Sequence, residues 1–471
     1  MGSQALIRAS NLTVNKGKTK VLRDQGFSLF PSEVVTIVGP NGSGKTTLIE
    51  ACTGISPLRS GQVFWTKNSG DEILVRDSEG RRNPPPPMGL TLQKDAICGD
   101  ETVLERLSFS LQVAGSFADE ITLSSILSEW GLSHRSESRV SELSGGLRRR
   151  LSLVCGLAPA ALSQHPIAVI LDEPSEGLDD ASKDLMKGWI KALSERGNGF
   201  FIATHDQELI SCSDRILRIS EGEVTEESGN SEGPSYVLPE FSSISQTRSP
   251  ISAIIKWALL MEKRNPIDNI GKSTIAFLSM ILAFALVGDL DPSAHGGQLL
   301  AALVLTPAFI TAISAPAIVG RLSENDSGLW WNAVAGPMSR PAFSIAGASL
   351  LLPIPITYLS WILLDGAIDA ESSIEVMKWI WLPALSLIDV AIAATALHLL
   401  ISDLSRSRAV PASLMLIVLV WPFLELTDAL GTIIEDGMSF GLGWGDPITT
   451  CIFASLTSAL VWLAAIMIPD S

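Results

Sequence analysis

The stretch Gly39-Pro40-Asn41-Gly42-Ser43-Gly44-Lys45-Thr46-Thr47 constrains this chain more than any other. It fits G-x-x-x-x-G-K-[ST], the spacing of a phosphate-binding loop. The apolar run Val34-Val35-Thr36-Ile37-Val38 ahead of it reads as a buried strand, and Leu48-Ile49-Glu50-Ala51-Cys52 behind it reads as the start of a helix. Backbone N–H groups of such a loop curl around phosphate oxygens, and the following helix aims its positive end at them. Lys45 is placed to reach the β- and γ-phosphates of a nucleoside triphosphate, and the Thr46 hydroxyl to ligate Mg²⁺.

The chain has 471 residues, too many for one ordinary core. Hydrophobic residues make up 46% and the mean hydropathy is +0.31, which points to a membrane portion. The net charge of −16 argues against non-specific nucleic-acid binding. Cys52, Cys98, Cys155 and Cys212 lie in the polar half and Cys451 beyond it, with no C-x-x-C, as expected for reduced cytosolic thiols. Residues 1–26 are polar and lack the apolar core of a secretion signal.

Residues 1–225 read as soluble. Pro84-Pro85-Pro86-Pro87 is extended and stiff, a surface spacer in preference to a recognition motif. A strand Leu90-Thr91-Leu92 ends in Gln93. Ser144-Gly145-Gly146 opens a helix, where a serine hydroxyl can donate to phosphate. Arg148-Arg149-Arg150 follows and reads as a solvated helix face in preference to a phosphate contact. Strand Ile167–Leu171 delivers Asp172 and Glu173, Asp179 follows shortly after, and strand Phe200–Thr204 delivers His205. Asp172 at a strand end suits water-mediated Mg²⁺ binding, and Glu173 is placed to orient or deprotonate an attacking water.

In order and spacing, these motifs resemble the nucleotide-binding domain of an ABC (ATP-binding cassette) transporter, from about Leu6 to Val224. The resemblance implies an α/β ATP-binding cassette that hydrolyses ATP with Mg²⁺. Gly39, Asn41, Gly42, Ser43, Gly44, Lys45, Thr46 and Thr47 would bind nucleotide. Gln93 would sense the γ-phosphate from the metal side, beside the metal-linked Thr46 and Asp172, and His205 would contact that phosphate. Ser144, Gly145, Gly146 and Asp179 would act on the ATP of a partner copy, so a second copy of the chain is implied. Leu147 stands where the family has glutamine. The aromatic that stacks on adenine is missing, Asn15 or Lys16 falling there instead.

Residues 226–249 form a Ser/Gly/Glu-rich stretch, expected to be a flexible linker. Residues 250–269 carry apolar residues at helical spacing with Trp257, which reads as an interfacial amphipathic helix or a plain connecting one. Residues 270–471 hold apolar stretches at about 270–290, 298–320, 342–364, 377–401, 409–428 and 447–468, each near the ~20 residues that cross a bilayer. With the cassette inside, the inner loops carry Arg321, Arg340, Arg406 and Arg408. The outer loops Gly288–Gly297, Asp365–Val376 and Ala429–Asp446 carry acids and no Lys or Arg. The positive-inside rule then gives six spans in the cell membrane with the ATPase and both termini cytoplasmic. Pro307, Pro316, Pro353, Pro355, Pro383 and Pro422 predict kinks. Asp389, mid-span, is either a functional group or a structural hydrogen-bonding one, and His398 falls on the opposite face.

The membrane half resembles the ABC-2-type exporter fold, and within it the membrane subunit of the haem exporter of cytochrome c maturation. The residues that carry this are Gly328-Leu329-Trp330-Trp331 and Gly336-Pro337-Met338-Ser339-Arg340-Pro341. The fold expected is therefore an α/β cassette followed by an all-α six-helix transmembrane domain. Three functions are implied: an exporter linked to haem handling, a general ABC-2 exporter of lipid, drug or glycan, or an ATPase that releases a haem-loaded chaperone. Haem-handling membrane subunits are expected partners under the first and third. His295 and His398 are the only histidines of the membrane half, so weak or no haem binding by the chain alone is expected, with haem held by partner subunits.

Overall fold

The structure, a computed structural model, describes residues 4–231, 233–242, 244–245, 250–289, 292–338, 340–364, 370–404 and 412–467. The chain divides into two compact units. One holds Met1–Ala253 together with Arg321–Pro337, and the other holds Ile254–Gly320 and Met338–Pro469.

The first unit is α/β. Its strands are β1 (Ile7–Lys16), β2 (Thr19–Leu29), β3 (Val34–Val38), β4 (Ser60–Thr66), β5 (Glu72–Asp77), β6 (Met88–Thr91), β7 (Ser116–Phe117), β8 (Ala168–Asp172), β9 (Gly199–Ala203), β10 (Arg215–Ser220), β11 (Glu223–Ser228) and β12 (Ile244–Ser245). Its helices are α1 (Lys45–Cys52), α2 (Val103–Val113), α3 (Glu120–Glu129), α4 (Gly145–Leu162), α5 (Asp180–Glu195) and α6 (Gln207–Ser211). The main sheet runs β11-β10-β3-β9-β8-β6, parallel except for β11. Every residue of β3, β8 and β9 is buried, which explains why these strands read as unbroken apolar runs. A parallel sheet brings the carboxyl ends of β3, β8 and β9 to one edge, and the phosphate loop, Asp172-Glu173 and His205 follow those ends. A second, antiparallel sheet runs β2-β1-β4-β5.

A helical layer packs its own core around Leu107, Ile126, Trp130, Leu153, Leu157 and Trp189. Thr102 starts α2 with a reciprocal capping box: its hydroxyl accepts from Glu105 N, and the Glu105 carboxylate accepts from Thr102 N. The tetraproline is not a surface spacer, since Pro85 and Pro86 are buried. It forms a stiff strut between β5 and β6 and leads in from the buried Arg82.

Residues 226–249, expected to be a flexible linker, are instead packed against this unit over much of their described length. β11 carries the chain to Ser228. The Tyr236 hydroxyl donates to Glu129, Leu238 is buried, and the Phe241 ring lies 5.9 Å from that of Trp189. β12 then pairs antiparallel with β7. Polar composition concealed these widely spaced apolar contacts.

The second unit is helical. It contains most of α7 (Pro250–Arg264), then α8 (Pro266–Asp289), α9 (Pro292–Ile313) and the first residues of α10 (Ala317–Ser323). After α11 (Ser327–Ala335), which lies in the first unit, come α12 (Ala342–Ile345), α13 (Gly347–Leu351), α14 (Pro353–Leu364), α15 (Ala370–Trp379), α16 (Trp381–Leu404), α17 (Ala412–Asp436) and α18 (Pro447–Met467). Among the described residues, four helical stretches are long and apolar enough to cross a membrane: Pro266–Leu286, Gly296–Ala335, Glu375–Ile401 and Pro447–Met467. Pro353–Leu364 is a shorter apolar helix. The inward faces meet through small residues such as Ala301, Ala308, Ala391, Ala429 and Ala454. Outward faces expose Phe277, Leu282, Phe284, Leu424, Leu456 and Leu460, a surface suited to hydrocarbon.

Several expectations change here. The stretch 342–364 is not one helix but three pieces, and the break before α14 falls at Pro353, which cannot continue a preceding helix. Of the prolines expected to kink the spans, Pro307 and Pro422 sit in helix interiors, while Pro355 and Pro383 fall in the first turns of α14 and α16. Pro353 opens α14, where its missing N–H costs nothing, and Pro316 precedes α10. Ala429–Asp436, expected as outer loop, continues α17. Trp257 is fully buried rather than laid on a membrane surface, and Glu262 on the same helix accepts from Ala317 N at 2.7 Å. Asp389 is half-buried on α16, and His398 Nε2 lies 3.0 Å from Ile313 O. Asp291, Ser339, Asp365, Asp369, Arg406 and Arg408 lie outside the described residues, as does the side chain of His295.

Candidate nucleotide site

Gly42 and Gly44 hold φ of +82° and +112°, left-handed values that a side chain would strain. A Cβ on Gly39 would come within 2.6 Å of Ile219 O and 2.7 Å of Ser43 Oγ, so the turn closes only around glycine. Gly44 caps α1, whose first residue is Lys45. The Lys45 side chain is buried. Its Nζ donates to Gly39 O at 2.8 Å and stands 3.9 Å from Glu173 Oε1. Asn41 and Gly42 are exposed at the loop's crest, Ser43 and Thr46 are half-buried, and Thr47 is buried.

Strand β8 ends in Asp172, which is fully buried. Glu173 follows in a left-handed conformation (φ +47°), which costs a non-glycine residue roughly 1–3 kcal/mol. That backbone turn places its carboxylate between two partners: Oε1 near Lys45, and Oε2 at 2.8 Å from His205 Nδ1 and 3.3 Å from His205 N. Three residues singled out in the sequence, Lys45, Glu173 and His205, therefore share one contact.

Mg²⁺ chemistry fits the residues present. Both Asp172 carboxylate oxygens are buried without a hydrogen-bonding partner, a costly state for a charge. Burial pushes Asp172 up from the ordinary 3.8 to about 6, the nearby Thr46 hydroxyl offsetting part of this. A divalent cation held by Thr46 and Asp172 would satisfy both oxygens. Gln93 has its side chain exposed at the end of β6.

Ser144 caps α4, accepting from Leu147 N at 3.4 Å, and Ser144, Gly145 and Gly146 are exposed. Leu147, in place of glutamine, packs half-buried against the helical core. Asp179 caps α5 through Ser182 N at 3.0 Å, and hydrogen bonding with Ser182, first its side chain and then its backbone N–H, holds the Asp179 carboxyl below the usual range. The arginine run is not a solvated face. Arg149 is 5% exposed and Arg150 Nη2 meets Asp179 Oδ2 at 3.1 Å. The signal for Arg149 was its place: α4 is buried on every side from Leu151 to Ala160, two residues further on.

The segment Arg321–Pro337 packs within this same unit. Arg321 Nη2 pairs with Asp100 at 2.8 Å, Lys94 with Asp326 at 2.6 Å, and Asn325 Nδ2 donates to Ile97 O at 3.4 Å. The Arg106 guanidinium lies 3.9 Å over the Trp330 ring, and Trp331, fully buried, meets Phe109 edge-on. These partners fall between Gln93 and Trp130. The sequence did not reveal Arg82, whose Nη2 donates to Asn332 O at 2.6 Å, at the end of α11.

A lysine and a glutamate meeting beside a glycine-closed loop, with an orphaned carboxylate at the neighbouring strand end, is the arrangement of a P-loop NTPase. The first unit is of that class. The ABC transporter family model matches residues 22–176. The lipoprotein-releasing system ATP-binding protein LolD of Porphyromonas gingivalis is 30% identical over 223 residues, 46% of this chain and 97% of that protein. LolD of Coxiella burnetii is 30% identical over 217 residues, 45% of this chain and 90% of that one. A solved ATP-binding subunit of an ABC transporter aligns with 47% of this chain and 90% of its own, at 22% identity and a TM-score of 0.41. The chain belongs to the ABC transporter family and is an ATP hydrolase.

Proposed function

We propose that the protein is an exporter-type half-transporter, driven by ATP and working as a dimer of identical chains in the cell membrane. The observation that carries this is the open signature face. Ser144, Gly145 and Gly146 are exposed, and a Cβ on Gly145 would meet nothing within 4 Å. Such a face suits the γ-phosphate of an ATP seated on a second copy. In this reading residues 1–225 are the ATPase, 226–249 a packed tether and 250–269 a connecting helix. Residues 270–471 are the six spans, and both termini are cytoplasmic.

The chemistry follows from this chain's own groups. The phosphate loop and Lys45 hold the β- and γ-phosphates. Glu173 orients the attacking water and takes its proton, and His205, bonded to Glu173, steadies that carboxylate and the γ-phosphate. Thr46, Asp172 and Gln93 would hold Mg²⁺, which when bound would supply charge neutralisation at the phosphate oxygens. Arg321–Pro337 carries the motion of the cassette to the spans.

For the cargo we propose haem handling in cytochrome c maturation, supported by the likeness of Gly328–Trp331 and Gly336–Pro341 to that family. His398 spends Nε2 on Ile313 O, so haem is better held by partner subunits, and ATP would drive release of a haem-loaded chaperone. A second reading is an ABC-2-type exporter of lipid, drug or glycan. The names of the relatives, ATP-binding proteins of lipoprotein-releasing systems, favour a lipid-bearing cargo within it. A deletion strain tests the choice. Loss of c-type cytochromes with b-type haem proteins retained supports the haem reading, and normal c-type cytochromes leave the general exporter.

A further inference from the structure

Arg149 makes contacts that neither the phosphate loop nor the signature requires. Its Nη1 donates to Leu92 O at 2.8 Å and Gln93 O at 3.2 Å. Its Nη2 donates to Asp172 O at 2.9 Å and Glu173 O at 2.6 Å. Asp95 Oδ1 stands 3.7 Å away, close enough to balance the charge. Four carbonyls from two separate segments thus converge on one buried, planar fork. Lysine could not replace this: its ammonium is a single point of donation, whereas guanidinium spreads its donors in a rigid plane.

The two segments joined are those with the most chemistry. One is the turn after β6 that carries Gln93. The other is the end of β8, where Glu173 is held in a left-handed backbone. A strained conformation persists only where its surroundings fix it, and Arg149 fixes the Glu173 carbonyl directly. A shift of Gln93 therefore cannot occur without pulling on the peptide that sets the direction of the Glu173 carboxylate.

We infer that Arg149 is a positioning residue that locks the Gln93 turn to the backbone of Glu173, so that the state of the Gln93 turn sets the aim of the hydrolytic carboxylate. This rests on the roles proposed for Gln93 and Glu173.

The experiment uses the full-length protein in lipid nanodiscs, measuring kcat and KM for MgATP and the Kd for a fluorescent ATP analogue. Arg149→Gln should lower kcat about 10²-fold, the loss expected for a small misplacement of a reacting group, with KM and Kd within about threefold. Arg149→Lys should fail to restore kcat. Millimolar guanidinium should restore part of it to Arg149→Ala, and ammonium at the same ionic strength should not. Gln93→Ala should lower kcat in the parent protein and add little in the Arg149→Gln background. Wild-type kcat in Arg149→Gln overturns the inference. So does full recovery in Arg149→Lys, or a loss of nucleotide affinity equal to the loss of kcat. Glu173→Gln serves as the control: if it keeps full turnover, the proposed base is wrong whatever Arg149 does.

Discussion

Glu173 Oε2 stands 2.8 Å from His205 Nδ1, while the other oxygen of the same carboxylate lies 3.9 Å from Lys45 Nζ. One side chain thus links the phosphate loop to His205, two residues beyond β9. Glu173→Gln keeps its volume and removes its basicity. It should bind ATP normally and lose about 10²–10⁴-fold in turnover, the range for a general base. Steady-state ATPase assays beside equilibrium nucleotide binding check this, and wild-type turnover would refute the role.

His205→Ala removes one partner of that carboxylate and leaves the Lys45 contact. Turnover should fall by about 10²-fold, less than for Glu173→Gln in the extreme, and the double variant should lose little more than Glu173→Gln alone. Additive losses in the two variants would show that the residues act independently.

Asp172 carries a pH signature. Its pKa rises from 3.8 to about 6 through burial, so the folded protein holds this proton more tightly than the unfolded chain does. Stability from this group is full below pH 3.8 and declines as pH rises through about 6, by ~3 kcal/mol in all. Asp172→Asn should therefore stabilise the chelator-treated protein by an amount that grows from about pH 4 to pH 7 and is flat above. It should abolish hydrolysis and the extra stability conferred by MgATP. Differential scanning fluorimetry across pH tests it, and a stability gain that shrinks as pH rises would contradict the sign.

Trp330 and Trp331 are buried against Arg106 and Phe109. Replacing both by Ala should leave ATP hydrolysis within about threefold while removing the membrane activity, since aromatic anchors carry most of such a contact. A cysteine pair at positions 94 and 326, where an ion pair now spans 2.6 Å, should cross-link in the parent and poorly in the double variant. Efficient cross-linking with membrane activity intact in that variant would disprove the coupling role.

Gly188 lies under Tyr236, and a Cβ there would be 2.8 Å from the tyrosine ring. Gly188→Ala should lift the segment around Tyr236 and Phe241 off the first unit. Limited proteolysis between 229 and 242 should quicken about tenfold, as for a local opening made easier by ~1.4 kcal/mol. Unchanged cleavage would mean that the Tyr236 contact does not hold this segment down.

Much of the site was legible because phosphate imposes fixed residue types at fixed places. Only glycine fits the turn at Gly39 and Gly44, and Asp172 and His205 could be read from the strands that end at them. Arg149 was harder. Successive helical residues point about 100° apart, so three arginines in a row share no common face, and composition pointed to solvent for all of them. The Tyr236–Phe241 contacts were hidden for another reason: anchoring takes a few apolar groups, and polar residues between them dominate the average. In the helical unit, hydropathy located the apolar stretches but could not place breaks such as the one before Pro353, where the helix ends while the apolar character continues.

The open face at Ser144, Gly145 and Gly146 has a consequence for genetics. If each working site takes its phosphate loop from one chain and its signature from another, lesions in the two motifs need not be equally harmful in every arrangement. A chain damaged only at Lys45 and a chain damaged only at Gly145 are each dead alone. Co-expressed, they form mixed dimers in which one site collects both lesions and the other collects none. The two alleles should therefore complement each other in trans, whereas both lesions on one chain, paired with a like copy, never can.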